Sequence, residues 1–481
     1  MTFNSWEFLI FYPVVLLLYF ILPRRARWIM LLFASYFFYI CYQAELVFLI
    51  LGTTAVSWGA SLIIERTERR WLRRTLLALS LVICLGVLFF YKYFNFLSWS
   101  IASIFGAGDS APVLKLILPV GISFYTFQTL SYVIDVYRGD IKTERNFFFY
   151  ALYVSFFPQL VAGPIERPQN LIPQLKEEHK WSTPDAVRGA KYMLLGFFKK
   201  ICVADLLSGY VSSVYNSPSG AGGFAVAIAT LLFAVQIYCD FSGYTDIATG
   251  CARIMGIKLM KNFDHPYLST SIKEFWGRWH ISLSSWLRDY LYIPLGGSRC
   301  RRARHIMNLM IVFLVSGLWH GAAWTFVIWG AIHGLYQIIG LLTRPLRDRL
   351  LCRVGFLPDS RPVRCVRTAV TFLLVSFAWI FFRAGSLSDA GVLVSALFTG
   401  WGTPASALSL MGLDLTGILM TVVSLGALVL LDRSVVYGDA PDGSDVLTAD
   451  FSYITVLFAI VFSWALLLAT DAGSTFIYFQ F

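Results

Sequence analysis

Long apolar stretches, separated by short polar or basic segments, follow one another along the whole chain. A helix needs roughly 20 mostly apolar residues to cross the hydrocarbon core of a bilayer. The pattern therefore predicts membrane-spanning helices at about 6–22, 28–42, 45–64, 76–99, 114–136, 147–163, 190–215, 223–238, 306–342, 368–382, 411–431 and 451–470. The stretch at 306–342 is long enough for two helices if it breaks near Gly317 or Gly321.

The segment from Phe241 to Gly297 does not follow this pattern, because polar and apolar residues mix and prolines and glycines interrupt it. A charged side chain placed in lipid costs about 2.5 to 3.5 kcal/mol. Irregular backbone at membrane depth is tolerated only where protein buries it or water lines it. We therefore expect re-entrant and short helices around a cavity in this segment.

The composition is typical of an all-α polytopic membrane protein. Of the 481 residues, 57% are hydrophobic and only 14% are charged, whereas a soluble domain carries about 25% charged residues. No basic segment precedes the first apolar stretch, so we expect an uncleaved first span rather than a signal peptide. The eight cysteines show no spacing typical of a metal site.

Basic residues in a few short loops give the chain most of its net charge of +11. Short loops rich in Lys and Arg stay in the cytoplasm, so the loops at 24–27 and 65–74 predict an extracytoplasmic N-terminus. One basic run has a second possible use, because a cationic surface attracts an anionic donor such as coenzyme A. Its arginines are Arg299, Arg301, Arg302 and Arg304. Membrane topology explains these charges equally well.

His320 lies in an apolar stretch, where ionisable side chains are rare and commonly functional. An imidazole in such a place can accept a hydroxyl proton near neutral pH. Trp319 and Trp324 can form the wall of a dry pocket, and Gly317 and Gly321 allow another backbone or a thin substrate to approach closely. The alternative is a buried histidine that bonds to a neighbouring helix.

His280 is a second candidate, for orienting a thioester or sharing the proton path, although a structural role explains it as well. The positive charge of the neighbouring Arg278 would lower its pKa and keep it neutral. His333 would lie about 20 Å from His320 along one continuous helix, too far for direct proton transfer.

Two segments carry a resemblance to a known family. The string EFWGRWHISLSSWLRDYLYIPLGG at 274–297, followed by GLWHGAAW at 317–324, resembles the membrane-bound O-acyltransferase family in its bacterial alginate O-acetyltransferase-like branch. Blocks at 121–128, 157–166 and 236–246 agree with it. We interpret residues 1–481 as one integral-membrane acyltransferase domain. It has a motif-rich catalytic core at about 115–345, and C-terminal helices with an aromatic tail at 368–481.

The resemblance implies a ring of tilted transmembrane and re-entrant helices around a central tunnel. The near-invariant histidine of the family falls on His320, and its second conserved polar position falls on His280. The end of the chain, FIYFQF, is similar to a C-terminal motif whose tyrosine is proposed to relay the acyl group, a role that would fall on Tyr478. The motif alone is also typical of an aromatic belt at the membrane interface.

The expected function is therefore that of an O-acetyltransferase in the bacterial cytoplasmic (inner) membrane. It would pass acetyl from cytoplasmic acetyl-CoA to an exported, alginate-like polysaccharide with a periplasmic acetyltransferase partner, and without metal or nucleic acid. The same chemistry on peptidoglycan or cellulose, or D-alanylation of teichoic acid, remains an alternative. A proton-coupled transporter is a further one, although such proteins often show two matched halves and this sequence shows no internal repeat.

Overall fold

The computed structural model describes residues 1–434 and Phe476, and the regular structure in this part of the chain is entirely helical. In chain order the first α-helices are α1 Trp6–Ile21, α2 Arg24–Gln43, α3 Val47–Arg66, α4 Arg70–Leu88, α5 Phe94–Ile104, α6 Ile122–Arg138, α7 Phe147–Ser155, α8 Phe157–Leu160, α9 Pro168–Lys176 and α10 Thr183–Phe197. They are followed by α11 Leu206–Tyr215, α12 Gly223–Ile254, α13 Ile272–Arg278, α14 Ile281–Leu287, α15 Arg302–His320, α16 Trp324–Arg353, α17 Arg361–Arg383, α18 Leu387–Thr399, α19 Pro404–Met411 and α20 Leu415–Ser434.

Six helical segments within the described residues are long and apolar enough to cross a membrane. They are Ala44–Arg66, Arg70–Ile104, Gly223–Ile254, Trp324–Arg353, Arg361–Arg383 and Leu415–Asp432. Two shorter apolar helices, Trp6–Ile21 and Leu387–Thr399, accompany them. The prediction of an all-α polytopic membrane protein is confirmed, and the span predicted at 451–470 lies outside the described residues.

Helix α12 continues well beyond the predicted end at residue 238 and runs unbroken to Ile254. The expectation of broken structure throughout 241–297 was therefore wrong for its first quarter. Gly243 and Gly250 do not break the helix, because each allows another backbone to approach closely. A Cβ at Gly243 would lie 2.8 Å from the Gly196 carbonyl oxygen, and one at Gly250 would lie 2.5 Å from that of Gly189. Small residues commonly have this role where helices pack in membranes.

The apolar stretch at 306–342 breaks where the sequence predicted, and α15 ends immediately before Gly321. Helices α15 and α16 then pack closely along their glycines. A Cβ at Gly317 would overlap the carbonyl oxygen of Phe326, and a Cβ at Gly330 would overlap that of Phe313. The two helices therefore form a tight hairpin, and His320 is the last residue of its first helix.

The chain divides into two compact units. The first comprises residues 1–194 and 244–260, and the second comprises residues 195–243 and 261 onward. In the first unit the buried carboxylate of Glu166 accepts hydrogen bonds from the backbone N–H of Met260 and, at 2.7 Å, from the amide of Asn170. Burial raises the pKa of Glu166 to about 7. The predicted histidines and arginines all belong to the second unit.

Candidate active site

His320 is enclosed by aromatic rings and is only 3% exposed. The centroids of Trp319 and Trp329 each lie 5.0 Å from that of the imidazole, with both rings edge-on to it. Phe382 from α17 lies 5.5 Å away. The structure thus places the imidazole in the apolar environment that the sequence predicted, where few water molecules can compete for its nitrogens.

One of the two tryptophans predicted to line the pocket around His320 does not lie there. Trp324 was expected to contribute, but it is 46% exposed. Trp329 and Phe382 take that place, and the sequence analysis missed both. Trp329 reaches His320 only because the hairpin folds α16 back along α15, and Phe382 reaches it from a different helix.

His280 lies beside His320, with ring centroids 6.3 Å apart. Both rings contact Trp319, which is 5.7 Å from His280. Phe241 of α12 packs edge-on against His280 at 4.7 Å. The two histidines that the sequence singled out, far apart along the chain, therefore belong to one buried cluster.

The backbone of His280 has a left-handed conformation with φ 45° and ψ 53°, at the residue that precedes α14. This conformation costs a residue other than glycine about 1 to 3 kcal/mol and is common at functional sites. Burial lowers the pKa of the His280 imidazole to about 3, so the ring is neutral at physiological pH. The expected cause, a charge on Arg278, was wrong, because Arg278 pairs with Glu274 at 2.7 Å.

His333 is also buried in this region, on α16. Its Nδ1 accepts a hydrogen bond of 3.2 Å from the indole N–H of Trp276. Its ring lies 5.0 Å from Trp329, the same residue that contacts His320. The helix is not continuous through 320–333, so the estimated separation of about 20 Å along one helix does not apply. The two histidines flank a shared tryptophan instead.

A cavity of about 1590 Å³ lies in the second unit, lined by residues of α13 to α17 and the turns between them. Trp276, Phe313 and Ser316 form part of its wall. Ser316 precedes His320 by one turn of α15, a rise of about 6 Å. The cavity therefore extends to within one helical turn of His320.

Cationic side chains outnumber carboxylates around this cavity. The cations are Lys273, Arg288, Arg344, Arg347 and Arg367, and the lining includes a single carboxylate, that of Asp359. Much of this charge is balanced, since Arg344 and Arg367 both pair with Asp348, at 3.7 and 2.7 Å, and Arg288 pairs with Asp289 at 2.8 Å. The remaining excess of positive charge suits an anionic ligand with phosphate groups.

The four arginines that the sequence proposed for donor binding are exposed and are not among the residues lining this cavity. Arg304 donates to the carbonyl oxygen of Leu295 at 3.1 Å. From the same basic run, only Ser298 and His305 contribute to the lining. A role for Arg299, Arg301, Arg302 and Arg304 in binding the donor stays a prediction.

Tyr478 lies outside the described residues, but Phe476 is described. Phe476 is 5% exposed, and its ring centroid lies 6.1 Å from that of Phe241. Since Phe241 contacts His280, the start of the C-terminal aromatic motif lies one residue away from the histidine cluster.

Comparison with known proteins gives this geometry its context. The profile of MBOAT, the membrane-bound O-acyltransferase family, matches residues 140–353, which include the three buried histidines. The chain is 39% identical over 440 residues to the probable alginate O-acetylase AlgI of Pseudomonas aeruginosa, covering 89% of this chain and 81% of that protein. It is 34% identical to a peptidoglycan O-acetyltransferase of Helicobacter pylori, covering 81% of this chain and 78% of that protein.

A third similarity is weaker and shorter. A teichoic acid D-alanyltransferase of Bacillus subtilis is 28% identical over 285 residues, covering 56% of this chain and 70% of that protein. The names of the three relatives all describe acyl transfer, but to different polymers. A helical membrane chain with a buried histidine pair, similar to such enzymes over most of its length, is thus an O-acyltransferase that belongs to the membrane-bound O-acyltransferase family.

Proposed function

We propose that this membrane O-acyltransferase passes acetyl from cytoplasmic acetyl-CoA across the membrane, for O-acetylation of an exported, alginate-like polysaccharide. One observation carries the proposal. The His280–His320 pair, at 6.3 Å, lies within one helical turn of a large cationic cavity. Such an arrangement offers a base in an apolar environment beside a space that suits a phosphate-bearing thioester.

The cavity is the proposed donor site. Basic segments next to membrane spans stay in the cytoplasm. The end of α16 and the start of α17 are rich in arginine, so the cavity would open to that side. Arg344, Arg347 and Arg367 would bind the phosphates of acetyl-CoA, while the thioester extends toward Trp276 and Ser316. The exposed arginines at 299–304 would attract the donor to the entrance through their longer-range field.

His320 would act as general base. It would take the proton of the accepting hydroxyl as that oxygen forms a bond to the acetyl carbonyl carbon. The carbon–sulfur bond then breaks, and the thiolate of coenzyme A leaves and takes up a proton, so that the net products are an acetyl ester and free coenzyme A. General base catalysis of this kind contributes roughly 10² to 10⁴ in rate. His280 would assist from its neighbouring position.

The first acceptor is either Tyr478 or a serine of a periplasmic acetyltransferase partner. The position of Phe476 beside Phe241 supports Tyr478, because two residues span at most about 7 Å of chain. A tyrosine ester formed there would be handed to the partner or to the polymer outside the membrane. This route requires a cytoplasmic donor and an exported acceptor, which is why we propose the inner membrane as the location.

The choice of polymer rests on the relatives. Relatives named as probable alginate O-acetylases reach 40% identity, whereas the peptidoglycan O-acetyltransferase reaches 34% and the D-alanyltransferase 28%. Alginate-like polysaccharide is therefore the proposed acceptor, and peptidoglycan, cellulose and teichoic acid are the alternatives. Membership of an acyltransferase family disfavours the proton-coupled transporter.

The proposal is tested with the full chain in lipid nanodiscs, supplied with acetyl-CoA labelled in the acetyl group. We expect release of free coenzyme A and, with the periplasmic partner present, label on alginate oligosaccharides. His320→Ala should abolish both, whereas His179→Ala, a histidine of the other unit that bonds a backbone carbonyl, should retain them. Undiminished transfer by a normally folded His320→Ala protein would overturn the mechanism. If the label appears only on peptidoglycan fragments, peptidoglycan replaces the alginate-like polysaccharide as the proposed acceptor.

A further inference from the structure

Asn262 is a buried amide, 2% exposed, that makes contact with His280 through its side chain. Its Oδ1 lies 3.1 Å from Nδ1 of His280. The same oxygen accepts the hydroxyl of Ser282 at 2.8 Å and the backbone N–H of Ser282 at 3.3 Å. Three groups therefore converge on one oxygen next to a histidine of the candidate active site.

These contacts fix the orientation of the amide. A backbone N–H only donates, so the side-chain atom that faces Ser282 must be the oxygen rather than the NH₂ group of Asn262. A carbonyl oxygen only accepts, and consequently Nδ1 of His280 must carry the proton in the contact between them. A neutral imidazole has one N–H, so its Nε2 then holds a lone pair.

The surroundings of His280 favour this neutral form. Its ring packs against Phe241 and Trp319 and is fully buried, so a second proton would place a charge among aromatic rings. Burial accordingly lowers the pKa of His280 to about 3. The tautomer, rather than the charge, is what the protein has to select.

Backbone hydrogen bonds also connect the segment around Asn262 to the turn that contains His280. The carbonyl oxygen of Asn262 accepts the N–H of Ile281 at 2.9 Å, and the N–H of Asp264 donates to the carbonyl of Arg278 at 2.9 Å. These two bonds connect the segment around Asn262 to both sides of His280. They support the left-handed conformation of His280, which aims the ring at its neighbours.

We infer that Asn262 is a positioning residue that holds His280 as the Nδ1–H tautomer, so that His280 accepts and does not donate a hydrogen bond during acyl transfer. The inference rests on the proposed function and makes it more specific. His280 would accept a hydrogen bond from the incoming hydroxyl or from the ring of His320. It could not protonate the departing thiolate, nor donate to the carbonyl of the thioester.

The tautomer can be measured directly. In the full chain labelled with ¹⁵N-histidine, the nitrogen chemical shifts separate protonated from unprotonated ring nitrogens, and comparison with His280→Gln assigns the signals of His280. We expect a protonated Nδ1 and an unprotonated Nε2. An unprotonated Nδ1 in the unchanged protein would overturn the inference, whatever the activity of the enzyme.

The kinetics of Asn262 variants test whether this tautomer affects acyl transfer. Asn262→Leu removes the acceptor and should allow the other tautomer, with kcat for coenzyme A release falling roughly 10- to 100-fold, the size seen when a partner that orients a histidine is lost. Its KM for acetyl-CoA should stay near that of the unchanged protein. Asn262→Asp keeps an acceptor and should keep the tautomer, with kcat largely restored above about pH 8, where the added carboxylate no longer favours a protonated His280.

Ser282→Ala removes a donor to Asn262 and a hydroxyl that lies 3.5 Å from Nδ1 of His280, but it leaves the acceptor on Asn262, so the tautomer should be kept. Ser80→Ala, which removes a buried hydroxyl of α4 that bonds only within its own helix, is the control and should keep both the tautomer and kcat within about threefold. Retention of the tautomer and of kcat by Asn262→Leu would contradict the positioning role. If Asn262→Leu does not fold, the spectra of the unchanged protein and of Asn262→Asp still decide. If no protein releases coenzyme A, the proposed function fails while the tautomer is still determined.

Discussion

The indole N–H of Trp276 donates a 3.2 Å hydrogen bond to Nδ1 of His333. Trp276 lines the large cavity, and its ring lies 5.7 Å from Trp329, which in turn contacts His320. His333 therefore fixes the orientation of an aromatic residue between the proposed donor site and the proposed base. This contact suggests a positioning role for His333, for which the sequence predicted no role.

We expect His333→Leu to lower kcat for coenzyme A release about tenfold or more, and to destabilise the protein by about 1 to 3 kcal/mol, because the buried Trp276 N–H loses its acceptor. His333→Gln retains an acceptor and should recover most of both. Steady-state kinetics and thermal unfolding of the two variants provide the test. Equal kinetics in all three proteins would mean that the hydrogen bond has no influence on the reaction.

Tyr478→Phe separates the relay from an aromatic belt, since it keeps the ring and removes only the hydroxyl. If Tyr478 accepts the acetyl group, transfer to the polymer should fall at least about 100-fold, in line with the loss of a nucleophile. Mass spectrometry of the unchanged protein incubated with acetyl-CoA should find acetyl on the C-terminal peptide. Unchanged polymer acetylation in Tyr478→Phe would favour the belt and a partner serine as acceptor.

Substitutions can distinguish donor binding by the arginines that line the cavity from donor binding by the basic run at 299–304. Arg344→Ala combined with Arg347→Ala should raise the KM for acetyl-CoA roughly tenfold, because these arginines line the cavity and direct charge-assisted contacts to phosphate would be lost. Arg299→Ala combined with Arg301→Ala, which do not line it, should change the KM less, and chiefly at low salt, because charges at a distance act through a field that salt screens. A larger effect of the second pair would place the phosphates at the basic run instead.

Glu166 should make stability depend on pH. Its pKa is about 7 in the folded protein against a usual 4.5, so folding favours the neutral carboxyl. The folded state is therefore relatively most stable below pH 4.5, and it loses about 3 kcal/mol as pH rises from there through 7. Glu166→Gln mimics the neutral form. Unfolding temperatures recorded between pH 5 and 8 should fall with rising pH in the unchanged protein and fall less in the variant.

Gly317→Ala tests the close contact in the hairpin of α15 and α16. The added methyl group would overlap the carbonyl of Phe326, so we expect a loss of about 1 to 3 kcal/mol in stability and a drop in activity as His320 shifts. Gly391→Ala, on α18, has no neighbouring atom within 4 Å, does not line the cavity and serves as the control. It should be neutral or stabilising by about 0.4 to 1 kcal/mol. Equal melting temperatures of Gly317→Ala and the unchanged protein would show that α15 and α16 can move apart without loss of stability.

The sequence singled out His280 and His320 as candidates, because a histidine in an apolar stretch is conspicuous and the surrounding strings resemble a known family; the structure places them side by side, and their catalytic role stays a prediction. The sequence also predicted a break near Gly317 or Gly321, and the helix ends just before Gly321. The sequence was not sufficient to predict Asn262, which precedes His280 by 18 residues and is a common polar residue in an irregular segment. Nothing local marks such a residue until the fold brings it against the ring.

Glycines also led to a wrong prediction, because a glycine can end a helix or can allow an unbroken helix to pack closely against another backbone. Gly321 ends a helix, whereas Gly243 and Gly250 continue one and mark close packing with another backbone. Periodicity cannot separate these cases, because they differ only in what lies opposite. The cations around the cavity were missed for a related reason: the basic run at 299–304 is dense in sequence, while Lys273, Arg344 and Arg367 come together only in space.

The aromatic enclosure of His320 also bears on the energy supply of the cell. An enzyme that moves a group across a coupling membrane must not let ions follow it. Protons cross proteins along files of hydrogen-bonded water, and apolar constrictions exclude such files. Trp319, Trp329 and Phe382 all have ring centroids within 5.5 Å of that of the imidazole, which leaves bulk water little room there. If acetyl groups are exported past His320 as proposed, these rings would also act as an electrical seal, and the transfer would not dissipate the membrane potential.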